Sequence, residues 1–157
     1  MRNFNYYQPT RLRYGWSRVN EIGNVVARIG KRCLMVSVKP FPAMENLFEK
    51  VKKLCSGAGI EMFHYDEVIP NPTTKCVNIG SEIAASNEVD VILGIGGGSS
   101  IDTAKAIAVG ATHLGDVWDY RLGQKRIESN KVLPIIAVPT TAGTGSEVTN
   151  MSVIKNP

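Results

Sequence analysis

The chain has 157 residues, 43% hydrophobic and 20% charged, with a formal net charge of +4, a composition that excludes disordered, collagenous and disulfide-rich classes. A chain of this size buries roughly 70% of its unfolded surface and reads as one domain over residues 1–157. No apolar run approaches the roughly 20 residues that span a bilayer, residues 1–4 open no secretory apolar region, and Cys33, Cys55 and Cys76 show no C-x-x-C spacing, so the expectation is a cytoplasmic protein with buried free thiols and no membrane partner.

In chain order, residues 4–7 and 11–14 read as two short strands of an N-terminal β-hairpin turning at Gln8, Pro9 and Thr10. Ser17 opens a helix whose Val19, Ile22, Val25, Val26 and Ile29 recur at helical spacing, and Gly30 closes it. Residues 33–38 form the first buried strand. Phe41 and Pro42 break the chain ahead of a second helix, striped by Leu47, Phe48, Val51, Leu54, Cys55 and Ala58 and ended by Gly57 and Gly59. Its Lys50, Lys52 and Lys53 have Glu45 and Glu49 nearby, which makes a solvated face and no nucleic-acid stripe. Residues 60–65 alternate as a strand, and Ile69-Pro70-Asn71-Pro72-Thr73 is a stiff loop into a helix carrying Ile79, Ile83 and Ala84.

Residues 89–109 carry the strongest signal. Val91 to Ile95 has the length and composition of a strand buried on both faces, and Gly96, Gly97 and Gly98 then let another molecule approach the backbone closely. Ser99 precedes Asp102 by three residues, the spacing of a capping box, so a helix is expected to start there with its N–H groups and positive dipole end aimed out of the glycine loop. That is a cradle for a phosphate. It departs from G-x-G-x-x-G at Ser99 and Ile101 and has no Gly-Lys-Ser/Thr. Residues 112–130 are polar with a short helix at 117–121, and 132–138 is a last strong strand. Residues 139–149 follow with two glycines and five hydroxyl side chains suited to phosphate or ribose oxygens.

Strands alternating with amphipathic helices predict an α/β fold, a doubly wound, Rossmann-like parallel sheet with right-handed crossovers. Ligands of such sheets sit outside the carboxyl ends of the strands, which selects the loops 37–40, 96–100 and 139–146.

Three segments, Gly96-Gly97-Gly98-Ser99-Ser100-Ile101-Asp102-Thr103-Ala104-Lys105, Pro70-Asn71-Pro72-Thr73 and Pro139-Thr140-Thr141-Ala142-Gly143-Thr144-Gly145-Ser146-Glu147-Val148-Thr149, resemble in order and spacing the iron-containing (group III) alcohol dehydrogenases. Pro9-Thr10-Arg11 through Gly15 is similar to that family's opening. The resemblance implies a nicotinamide dinucleotide across the sheet, with Gly97, Gly98 and Ser99 at the pyrophosphate. It also implies Asn71, Thr140, Thr141, Thr144 and Thr149 around the ribose, phosphates and nicotinamide. Asp102 would lie near the nicotinamide or substrate as a catalytic candidate, or cap its helix, or do both.

Family members continue into a helical domain that supplies an aspartate and three histidines to iron or another divalent metal. Here His64 and His113 belong to no Asp-x-x-x-His pattern and read as surface or packing residues. The expectation is therefore the cofactor-binding half of a metal-dependent alcohol dehydrogenase, inactive in isolation, with Fe²⁺ or Zn²⁺ held only in the full-length protein. A small primary alcohol or aldehyde would be its substrate there, and the uncovered apolar face would favour a homo-oligomer. The alternatives are a non-enzymatic nucleotide-binding or assembly module, or the cofactor domain of a glycerol or polyol-phosphate dehydrogenase. The turn after the first strand reads Ser37-Val38-Lys39 with no carboxylate before Glu45, which favours NADP over NAD.

Overall fold

The computed structural model describes residues 3–5 and 7–157. Four parallel strands, β1 (Arg32–Val36), β2 (Glu61–Tyr65), β3 (Val91–Gly96) and β4 (Ile135–Pro139), form one sheet in the order β2-β1-β3-β4. The helices are α1 (Ile22–Ala27), α2 (Pro42–Gly57), α3 (Thr74–Ser86) and α4 (Gly98–Gly110). Alternating strand residues serve opposite faces: Cys33, Met35, Val91, Leu93 and Ile95 pack with Ile22, Val26, Phe48, Val51 and Cys55 of α1 and α2. Leu34, Val36 and Ile92 pack with Val77, Ala84, Ala104, Ile107 and Ala108 of α3 and α4. A sheet covered on both faces is what parallel pairing requires, and it explains why β3 is buried at every position.

From β1 the chain passes through α2 to β2 on one side, then crosses back through α3 to β3 on the other. The loops after β1 and β3 therefore diverge, and the crevice between them opens at the carboxyl ends of the strands. Local chemistry helps to set these elements. Pro42 starts α2 at its first turn, and the Thr73 hydroxyl accepts from the Cys76 amide at the start of α3. The Asp90 carboxylate accepts from the backbone of Lys31 and Arg32, joining the entries of β1 and β3.

Three expectations are corrected. The hairpin is not formed: Phe4, Asn5 and residues 7–14 carry no strand, Tyr6 lying outside the described residues. Phe4, Tyr7, Leu12 and Tyr14 are exposed, and a two-stranded ribbon with no face to bury is marginal in water. The first helix is divided, a 3-10 turn at Arg18–Glu21 running into α1, because Ser17 takes a left-handed conformation with φ 59° and its hydroxyl caps nothing. Lastly, the final strand, expected over residues 132–138, runs over Ile135–Pro139 at one edge of the sheet with Ile135 37% exposed, while Val132 and Leu133 pack against the α3 and α4 face ahead of it.

The tip of β1 is fastened to β2 by side chains. Ser37 is fully buried, and its hydroxyl donates to Val38 O at 2.8 Å, which leaves it to accept from His64 Nε2, also at 2.8 Å. Burial holds the His64 imidazole below its ordinary pKa, reinforced by the Lys52 cation and opposed by Asp66 and Glu49.

Two predictions follow from this packing. A Cβ at Gly23 would stand 2.2 Å from Leu54 O, so Gly23→Ala must part α1 from α2; a loss of about 2–3 kcal/mol in urea unfolding is expected. Gly57 in the last turn of α2 has open space, and Gly57→Ala should gain about 0.4–1 kcal/mol. For His64, the unfolded chain takes up a proton at a pH where the folded chain does not. Its contribution is intact above the ordinary imidazole value of 6.5 and is lost as pH falls below it. Between about pH 7.5 and 5.5, His64→Gln should flatten the decline in stability seen in the parent chain.

Candidate functional site

At the carboxyl end of the sheet the glycine loop is built by exclusion. Gly96 ends β3 with φ 140°, and a Cβ there would lie 2.5 Å from Ser100 Oγ, so any side chain in this turn would be both strained and crowded. Gly97 is the N-cap of α4 and supplies no side-chain bond. Its carbonyl accepts from the amides of Ser100 and Ile101 at 3.1 and 3.2 Å. The amides of Gly98 and Ser99, in the first turn, lack the intrahelical partner that every later residue has. These amides and the helix dipole form an anion-binding end.

Two other loops close on it. Gly96 O accepts from Thr140 N at 2.9 Å, which carries the ladder one step past β4. A Cβ on Gly97 would be 3.2 Å from Thr141 Oγ1, and one on Gly98 3.4 Å from Thr144 Cβ. Asn71, at the left-handed φ of 53°, donates its backbone N–H to Ser99 Oγ at 3.3 Å. Gly97, Gly98, Ser99, Asn71, Thr140, Thr141 and Thr144 are thus gathered into one rim, with the glycines and Ser99 half-buried and the other four exposed. A negatively charged ligand laid across this rim would meet main-chain donors first and hydroxyls second.

The expected capping box does not form. Ser99 lies inside α4, and its hydroxyl faces the Asn71 loop. The Asp102 side chain turns away from the cap. Its Oδ1 accepts from Ser146 Oγ at 2.5 Å and stands 3.1 Å from Lys105 Nζ, while Oδ2 accepts from Val153 N at 3.0 Å. A carboxylate offered an ammonium, a hydroxyl and a free amide gains more there than at one N-cap amide. Thr149 is exposed, its Oγ1 3.5 Å from Lys105 Nζ.

Lys39 is exposed just past the tip of β1, in an open groove of about 530 Å³ shared with Phe41, Glu67, Ile69 and Pro70. Ser37 has its hydroxyl buried and committed to Val38 and His64, so its place is beneath this groove rather than in it. Two residues were passed over in the sequence. Glu67 enters the groove from the end of β2, where the rule for a ribose-binding acid does not look. Lys105 meets the 146–151 segment, and the available signal was its i,i+3 spacing from Asp102.

Among the described residues, no three His, Cys, Asp or Glu side chains come together to hold a metal ion. His64 is engaged with Ser37, and His113 with Val109 O and the Glu128 amide. Cys33, Cys55 and Cys76 are buried and unpaired, and burial raises the Cys33 and Cys55 thiols above their ordinary range. Among the described residues, then, no set of three such side chains is offered to a divalent metal. No helix among the described residues is long and apolar enough to cross a membrane.

Comparison with known proteins agrees with this geometry. The family model of iron-containing alcohol dehydrogenases matches residues 9–157. The chain is 39% identical to choline dehydrogenase of Bacillus subtilis over 98% of its own length and 39% of the relative's. It is 35% identical to NADH-dependent butanol dehydrogenase A of Clostridium acetobutylicum over 99% and 40%. Among solved structures, NADH-dependent butanol dehydrogenase A of Thermotoga maritima superposes with a TM-score of 0.88 at 34% identity, covering 99% of this chain and 39% of that one. Sulfoacetaldehyde reductase of Bifidobacterium kashiwanohense, solved in complex with NAD+, gives 0.88 at 34% over 99% and 41%. The chain spans about two-fifths of the length of the relatives it matches. With its β3–α4 glycine loop, its hydroxyl-rich β4 loop and a match over residues 9–157, this chain belongs to the iron-containing alcohol dehydrogenase family.

Proposed function

We propose that this chain holds and orients the nicotinamide dinucleotide used by an alcohol dehydrogenase of that family. The observation that carries the reading is the convergence of three loops at one sheet edge, with unpartnered first-turn amides of α4 between exposed threonines. The pyrophosphate rests on Gly97, Gly98 and Ser99, and Asn71, Thr140, Thr141, Thr144 and Thr149 serve the ribose, the phosphates and the nicotinamide end. The adenosine end lies over the groove of Lys39, with Ser37 supporting the turn from beneath. Asp102 takes no direct part in the chemistry while both of its oxygens are committed within the protein.

The part of the reaction that belongs to these residues is positional. They fix the dinucleotide against a rigid sheet, so that one face of the nicotinamide is presented to a small alcohol or aldehyde. Among the described residues the family's metal finds no group of three ligands. The chain alone should bind dinucleotide yet show no alcohol-dependent reduction of NAD or NADP when Fe²⁺ or Zn²⁺ is added. Turnover by the isolated chain would overturn this division of labour.

Coenzyme choice rests on Lys39, whose ammonium is free to meet a 2′-phosphate and which has no carboxylate beside it on β1. Glu67 across the groove and the NADH-dependent names of two relatives weigh the other way. Fluorescence titration should show NADPH binding more tightly than NADH. Lys39→Ala should weaken NADPH about ten-fold and leave NADH within about two-fold. Tighter binding of NADH by the parent chain would refute the preference, and binding of neither coenzyme would refute the dinucleotide reading itself.

A further inference from the structure

The segment from Ser146 to Val153 follows directly on the threonines of the coenzyme rim, and it has almost no backbone pairing of its own. A single 3-10 turn at Ser146–Val148 closes with Val148 N donating to Gly145 O, and among the described residues 149–153 make no backbone–backbone hydrogen bond. A run of chain so poorly paired should wander. Two side chains of α4 and one from the N-terminal stretch hold it, Gln8 Nε2 donating to Val148 O at 2.8 Å. The Lys105 ammonium donates to Ser146 O at 2.9 Å, to Met151 O, and to Thr149 O at 3.3 Å, and lies 3.5 Å from Thr149 Oγ1. Asp102, one turn earlier, stands 3.1 Å from the same ammonium and ties down Ser146 Oγ and Val153 N. The two side chains are only 11% and 13% exposed.

Resting on the dinucleotide reading above, we infer that Lys105 is a positioning residue for the coenzyme: its ammonium gathers the main chain of 146–151 and so places Thr149 and the far end of the threonine loop. The chemistry fits a lysine. Carbonyl oxygens approaching from several directions suit a compact group with three rotatable donors, whereas the guanidinium of an arginine fixes its donors in one plane. Asp102 completes the device. It neutralises a charge that would otherwise be buried alone, and it holds the next residues of the same segment. Its closeness to the coenzyme rim is thereby explained without substrate contact.

This role differs from stability alone, and the difference can be measured. Lys105→Met leaves the Asp102 charge buried without its partner, and that variant is expected to fold poorly. The double variant Lys105→Met, Asp102→Asn removes both charges while the new amide still accepts from Val153 N. It should keep the far-UV spectrum and cooperative melting of the parent, yet bind NADH and NADPH each about ten-fold more weakly. A uniform loss of this kind is distinct from the NADPH-selective loss expected of Lys39→Ala.

Binding by the folded double variant at the parent affinity would overturn the role of Lys105. Binding of neither coenzyme by the parent chain would instead overturn the dinucleotide reading. Should the double variant fail to fold, the parent chain supplies a second measurement through amine-reactive labelling read by mass spectrometry. Lys105 should react about ten-fold more slowly than Lys125, whose side chain is 56% exposed, and saturating NADH should slow it further, because a ligand that orders the loop must protect its anchor. Equal labelling of Lys105 and Lys125, or no effect of bound NADH on Lys105, would count against the anchor.

Discussion

The end of β3 is the constraint on which the rest of the site depends. The strand is buried at all six positions and pairs on both sides, with β1 and with β4. Its last residue is Gly96, where a side chain would strike Ser100. Because the turn is closed so tightly, α4 begins immediately, and its first amides emerge at the sheet edge rather than further out. The Gly96 carbonyl also receives Thr140 N, so the hydroxyl-bearing loop after β4 is tethered to the same point. A substitution at Gly96 would therefore disturb two loops through one bond.

Much of the fold was legible because burial on both sheet faces writes a strong pattern. Val91 to Ile95 could only be a central strand, and the apolar stripe of α2 places Phe48, Val51 and Cys55 against it. The gathering of the three loops at one end of the sheet was legible for a related reason: glycines and threonines at strand ends have little packing to do, so they mark a candidate binding edge. The family relationship rests on the same motifs, and the match over residues 9–157 bears it out.

What escaped the sequence was tertiary in origin. The hairpin at residues 4–7 and 11–14 had the turn residues but no face to bury, and turn chemistry alone does not hold a ribbon in water. The spacing of Ser99 and Asp102 matched a capping box, yet spacing records only what is within reach along one helix. Ser146 and Val153, 44 and 51 residues away, offered Asp102 better partners. The apolar run from residue 132 read as strand from its start, but Val132 and Leu133 pack against the α3 and α4 face before pairing with β3 begins. Lys105, in an alanine-rich helix, was given no role, because its spacing from Asp102 marks a neighbour on the same helix and not a loop some forty residues on.

Three of these misses share a direction. Each involves a segment with too few local bonds to define itself, namely the N-terminal stretch, the first turn of α4 and the run from Ser146 to Val153. A rim able to receive an anion has to be of this kind, since amides already paired in a ladder cannot be offered to a phosphate. The sheet can leave donors free at its edge only if something else holds the loops that carry them. Here that work falls to side chains reaching from secondary structure: Ser99 to the Asn71 turn, and Asp102 with Lys105 to the segment after Ser146. The helix whose first-turn amides are left unpaired thus uses its second turn to fix the surrounding loops, and the two tasks are joined in ten residues of chain, Gly96 to Lys105.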